Sequence, residues 1–94
     1  MFEIKEIIDL GNGATLEIDE SGSRFYVFNG HYHREDGPAA EWANGNRVWW
    51  RHDKIHRIGG PAVELANGYK SWYINGEEYS EEEYNTIIQC PWII

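Results

Sequence analysis

Cysteine is almost missing from this chain of 94 residues: Cys90 stands alone. One thiol excludes a disulfide framework within the chain and any cysteine-based metal site. It also points to a reducing, intracellular setting, with the cytoplasm as the expected location. Cations are scarce too, eight Lys and Arg against sixteen Asp and Glu, for a formal charge of −8. A balance of that sign repels nucleic-acid backbone and anionic lipid and favours basic protein surfaces. No apolar run approaches membrane-spanning length, and the acidic start at Glu3 and Glu6 leads us to expect no signal peptide. No membrane partner is expected. Also absent is a phosphate-cradling glycine loop that opens a helix.

Aromatic surface is what the chain has in excess. Five Trp, six Tyr and three Phe stand in for the aliphatic core that so short a domain cannot build. The charge is unevenly placed. Residues 1–23 are acidic, residues 24–57 are mildly basic, and residues 77–83 hold Glu77, Glu78, Glu81, Glu82 and Glu83.

The strongest pattern is internal. His33-Arg34-Glu35-Asp36-Gly37-Pro38-Ala39 returns 23 residues later as His56-Arg57-Ile58-Gly59-Gly60-Pro61-Ala62, and residues 33–51 and 56–74 agree at ten of nineteen positions. A repeat of this length is one supersecondary unit that must stack on its neighbours to bury an apolar face. Asn-Gly occurs five times, at 12–13, 29–30, 44–45, 67–68 and 75–76, and is the strongest short-range hairpin signal. His52-Asp53 takes the corresponding place in the middle copy. Strands are expected near 2–10, 15–19, 24–28, 39–43, 46–51, 62–66 and 69–74, with short returns at 31–33, 54–56 and 77–79.

Two-residue loops at Asn44-Gly45 and Asn67-Gly68 predict a definite register. Ala43 then pairs Asn46, Trp42 pairs Arg47 and Ala40 pairs Trp49; Leu65 pairs Lys70 and Val63 pairs Trp72. That register puts Ala40, Trp42, Arg47 and Trp49 on the core face with Val63, Leu65, Lys70 and Trp72. Glu41, Val48, Trp50, Glu64, Ser71 and Tyr73 fall on the opposite, partner-facing side. The return turns set His33 against Tyr26, His56 against Trp49 and Tyr79 against Trp72. Under this register the first copy looks degenerate, because Leu16, Ile18, Phe25 and Val27 fall on the face that is polar elsewhere. Either a bulge at Ser21-Gly22 or a cover at that end resolves it. Ser80 and Glu83 form a capping box that opens a helix over 81–89, stopped by Pro91. Tyr84, Ile87 and Ile88 share one side of that helix and, with Trp92-Ile93-Ile94, can act as a cap.

The string Asn-Gly-x-x-His-Arg-x-x-Gly-Pro-Ala-x-Glu-x-x-Asn-Gly-x-x-x-Trp-(Trp/Tyr), over about 29–76, resembles the variant MORN-type repeats of small proteins from bacteriophages and large DNA viruses. The resemblance implies a meander of hairpins that serves as a binding scaffold and not as an enzyme. The expected fold is all-β, an antiparallel meander of repeated hairpins with a short C-terminal helix. One domain is expected over 1–94: a degenerate repeat at 1–28, two units at 29–79 and a helical cap at 80–94.

Catalytic and metal signals are weak. His31, His33, His52 and His56 lack supporting cysteines or a carboxylate motif, so no metal site and no cofactor are expected. Glu41 and Glu64 are repeat-equivalent and suited to pairing with Arg34 and Arg57 or to bonding the loop backbone. Cys90 lacks an orienting base. Arg34, Arg51, Lys54 and Arg57 beside Trp50 and the histidines are too few, between acidic flanks, to make direct nucleic-acid binding the expectation. The expected role is a protein-binding module without catalysis, probed through Trp50, Tyr73, Glu41, Glu64 and the five C-terminal glutamates. A phage origin makes the expected partner a basic, nucleic-acid-binding surface of a host defence complex, of the CRISPR–Cas or restriction type. The alternative is a scaffold that pairs copies of itself into a homodimer.

Overall fold

Asn-Gly makes two different turns in this chain, and the difference sets the architecture. The structure is a computed structural model that describes residues 3–90. At Asn12-Gly13, Asn29-Gly30 and Asn75-Gly76 both residues take positive φ, as a two-residue type I′ hairpin requires. His52-Asp53 does the same, with φ of 50° and 66°, as its place in the repeat predicts. At Asn44-Gly45 and Asn67-Gly68 only the glycine is left-handed, at 98° and 93°. Here the loop is longer by one residue. Trp42 N–H donates to the Asn46 carbonyl and Leu65 N–H to the Tyr69 carbonyl, both at 2.9 Å, so the loops span 43–45 and 66–68. Asn44 and Asn67 support them by accepting the N–H of Asn46 (3.0 Å) and Tyr69 (2.9 Å). Glu20-Ser21-Gly22 closes in the same way, with Asp19 N–H on the Ser23 carbonyl at 3.1 Å. All three are the three-residue hairpin with a glycine bulge.

These turns join β1 (Ile4–Gly11), β2 (Ala14–Asp19), β3 (Arg24–Phe28), β4 (His31–Tyr32), β5 (Ala40–Glu41), β6 (Arg47–Val48), β7 (Trp50–Arg51), β8 (Lys54–Ile55), β9 (Val63–Glu64), β10 (Lys70–Ile74) and β11 (Glu77–Tyr79). The main sheet runs β1-β2-β3-β5-β6-β9-β10-β11, with β4 paired to β3 and β7-β8 as a separate ribbon. All pairs are antiparallel. The all-β hairpin meander with one short helix is therefore what this sequence forms.

The longer loops correct the two-residue register. Ala40 opposes Val48 and Glu41 opposes Arg47; Val63 opposes Ser71 and Glu64 opposes Lys70. A slip of one residue exchanges faces between partner strands. Glu41 and Glu64 consequently lie on the side opposite Trp50 and Tyr73. The first copy stops being anomalous as well. Leu16 opposes Tyr26 and Ile18 opposes Arg24, so these two aliphatics share the Tyr26 face, and the bulge at Ser21-Gly22 recurs in every copy. The return turns need no correction. Trp72 opposes Tyr79, and the N–H groups of His33 and His56 bond to Tyr26 and Trp49 at 3.1 and 3.0 Å.

Backbone bonds tie each hairpin to the next in matching pairs. Tyr26 N–H reaches Ala39 (2.7 Å) as Trp49 N–H reaches Ala62 (2.8 Å); Arg34 N–H reaches Trp50 (3.1 Å) as Arg57 N–H reaches Tyr73 (3.2 Å). Among the described residues the buried apolar side chains are few: Ala39, Ala40 and Ala62, with Trp49, Ile74 and Tyr84. The molecule is 17 Å through its thinnest dimension.

Helix α1 (Glu81–Ile88) carries the expected capping box: Ser80 Oγ accepts Glu83 N–H and the Glu83 carboxylate accepts Ser80 N–H. It packs against β10 and β11, so it covers the C-terminal end of the sheet and not the first repeat. Tyr84 is buried, with Ile87 and Ile88 half-buried beside it. The Tyr84 hydroxyl donates to the Arg57 carbonyl (2.7 Å) and accepts Gly59 N–H (2.8 Å). Pro91 and the Trp92-Ile93-Ile94 cap lie outside the described residues.

Candidate functional site

The two faces of the sheet have different chemistry, and the register decides which residue goes where. Across β3, β5, β6, β9 and β10 one row reads Arg24, Glu41, Arg47, Glu64, Lys70, opposite charges on adjacent strands throughout. On the same face Arg34 lies 4.0 Å over the Tyr26 ring and Arg57 lies 3.9 Å over the Trp49 ring. Each guanidinium also reaches a carbonyl and a carboxylate. Arg34 bonds Pro38 at 3.1 Å and Glu41 at 3.3 Å; Arg57 bonds Pro61 at 3.0 Å and approaches Glu64 at 3.7 Å. A Cβ at Gly37 or Gly60 would sit 2.8 Å from the guanidinium carbon, so a larger residue there would displace the arginine from its ring. Glu41 and Glu64 are thus engaged within the fold, as partners of the His-Arg-x-x-Gly-Pro loops.

The histidines of the repeat are tied down too. His33 Nδ1 accepts His52 N–H (3.0 Å) and His56 Nδ1 accepts Asn75 N–H (2.9 Å), each linking one copy to the turn that follows. Burial pushes both imidazoles below their ordinary pKa, with His52 adding to the effect at His33 and Arg51 at His56. A nitrogen that accepts a backbone N–H is unavailable to a metal, and His31 instead sits 3.4 Å from Asp53 at the surface. Among the described residues no group of three or more His, Cys, Asp or Glu is placed to hold a metal ion. An open cleft of about 690 Å³ lies between the two His-Arg loops, with Trp49, Arg51 and His56 among its lining.

The opposite face carries the aromatic anchors. Phe25, Ala40, Val48, Val63 and Ser71 oppose one another in a row across the strands. Phe25 meets Trp42 edge-on (centroids 5.8 Å apart, 83°) and Tyr32 at a tilt (6.2 Å), and Tyr32 meets Trp50 at 5.5 Å. Trp42 and Tyr32 are each 39% exposed. Tyr73 continues the face on β10 opposite Glu78, and burial with the Glu78 charge raises its phenol pKa. Trp50 and Tyr73 are thus brought to one face. The two-residue register puts Trp42 on the core face with Trp49; with Ala40 opposite Val48, Trp42 instead joins Phe25, Tyr32 and Trp50.

The five glutamates cluster at one end. Glu77 and Glu78 lie on the edge strand β11, and Glu81, Glu82 and Glu83 form the first turn of α1; all are exposed. Glu83 is held as a carboxylate, its pKa lowered by the bonds with Ser80. Glu77 accepts the Tyr79 hydroxyl at 2.9 Å. Among the described residues no helix is long and apolar enough to cross a membrane. No protein-family model, curated protein or solved structure matches this chain.

Proposed function

We propose that this chain is a protein-binding module without catalysis, which covers a basic surface on its partner with the β11–α1 acidic end and the adjoining aromatic face. The observation that carries this reading is the juxtaposition of Tyr73 and Glu78 across β10 and β11, where the end that bears five exposed glutamates adjoins a half-exposed ring. Aromatic anchors dominate interface energies, while rim charges mainly speed and orient encounter. Together with the resemblance to phage repeat proteins, this chemistry suits an inhibitor that occupies the nucleic-acid-binding groove of a host defence complex. Glu41 and Glu64 take no part in that contact, being engaged by Arg34 and Arg57 respectively on the other face.

The test is competition. Binding to a nucleic-acid-handling host complex should weaken with salt and be displaced by the complex's own nucleic acid. Changing Glu77, Glu78, Glu81, Glu82 and Glu83 together to Gln should reduce it about tenfold or more, by loss of steering and rim contacts. Undiminished binding by that variant overturns the reading.

One feature favours a second reading. Strand β1 ends the sheet with Ile7 64% and Leu10 50% exposed, an edge open to pairing with another copy. Register shifts at Lys5 and Leu10 interrupt it and oppose such pairing. A dimer in light scattering that survives dilution and is lost in Ile7→Lys would support this scaffold role.

A further inference from the structure

The register separates charge between the faces more completely than composition suggests. Of the eight Lys and Arg, Arg24, Arg47 and Lys70 stand in the charge row, and Arg34 and Arg57 stack on that face. Arg51 and Lys54 oppose each other one residue from Trp50 and Ile55, so alternation turns them the same way. Only Lys5 remains, at the shifted register of β1. Among the described residues, none of these seven placed cations lies on the aromatic face. That face does have carboxylates at its margins, with Glu17 opposite Phe25 and Glu78 opposite Tyr73.

The other face shows what such rings accept. There two rings, Tyr26 and Trp49, each carry a guanidinium at about 4 Å. On the aromatic face Phe25, Tyr32, Trp42 and Trp50 lie at mutual angles of 41°, 83° and 49°, a faceted surface that presents more than one ring face to a single group. A weakly hydrated, planar guanidinium stacks on such rings better than a compact ammonium does. A second copy is the poorer occupant. It would bring Glu17 and Glu78 against like charges and add a chain of formal charge −8.

We infer that the Phe25–Tyr32–Trp42–Trp50 cluster is a binding site for arginine side chains of an Arg-rich partner segment. This deepens the protein-binding reading, on which it rests, by naming the residue type recognised.

The test uses oligoarginine and oligolysine peptides of equal length, titrated calorimetrically into the whole chain. Arginine should bind about two- to fivefold more tightly than lysine, the range that cation–π stacking at partly exposed rings gives. Trp42→Ala should abolish that preference, and Trp50→Leu, which keeps apolar volume without an aromatic face, should do the same in a protein that circular dichroism shows folded. The variant with all five C-terminal glutamates changed to Gln should weaken both peptides alike and leave their ratio unchanged. Equal affinity for the two peptides overturns the inference, as does a preference that survives both Trp substitutions. Self-association that Trp42→Ala abolishes would assign the face to a second copy and also overturn it. Because no host complex enters this experiment, its failure leaves the acidic-end competition test standing on its own.

Discussion

His33 and His56 work as neutral acceptors, and that gives the fold a pH dependence with a definite sign. Both imidazoles are held below the ordinary value of 6.5, so between their folded values and 6.5 the unfolded chain binds protons that the folded chain does not. Their stabilisation is complete above about pH 6.5 and is lost as pH falls through the folded-state values. The melting temperature should therefore drop between pH 7.5 and 5.5. His56→Gln, which removes the titrating group at the more buried site, should flatten part of that slope. A second residue-scale prediction concerns Tyr84, whose hydroxyl serves the Arg57 carbonyl and the Gly59 N–H. Tyr84→Phe leaves those loop groups without a partner beneath the helix and should cost about 1–3 kcal/mol in urea unfolding. Gly59 has φ 103° where the preceding repeat has Asp36, and this left-handed residue presents its N–H to the tyrosine.

Among the elements, the hairpins separate two kinds of turn written with the same dipeptide. In the middle copy His52-Asp53 holds a type I′ turn without glycine. Asp53→Gly should stabilise the protein by about 0.5–1 kcal/mol through relief of the left-handed φ, read as a higher urea midpoint; a lower midpoint would mean the contact with His31 matters more. The N-cap of α1 offers the opposite case. Ser80→Ala removes one half of a reciprocal box and should cost about 1 kcal/mol, with Tyr84 lines broadening first in NMR spectra. The type I′ turns, the capping box and the return pairings were all legible from sequence, because each is decided within a few residues. The register of the Ala-Asn-Gly loops was not. Asn-Gly fits a two-residue turn and a three-residue turn with a glycine bulge about equally well, so the local signal leaves the faces open.

For the molecule as a whole, the row Arg24, Glu41, Arg47, Glu64, Lys70 joins five strands and both full repeats. Arg47→Glu would place three carboxylates side by side and should cost about 1–2 kcal/mol, since like charges directly opposite destabilise a sheet. High salt should recover part of that loss, and a salt-independent loss would show that the row matters through packing alone. With so few buried apolar side chains among the described residues, this row and the Arg-on-ring stacks contribute what a larger domain leaves to its core. The hairpin repeat, its type I′ turns and the capping box follow from local chemistry, as does the placing of Trp50 and Tyr73 on one face. Which face holds Glu41 and Glu64, and that Phe25, Tyr32 and Trp42 join Trp50, depends on contacts across strands. Arg34 must lie over Tyr26 and still reach Glu41 at 3.3 Å, and the pairing of Arg24 with Glu41 between β3 and β5 places both on one side. That requirement joins residues from three separate segments, so it exists only once the hairpins have stacked.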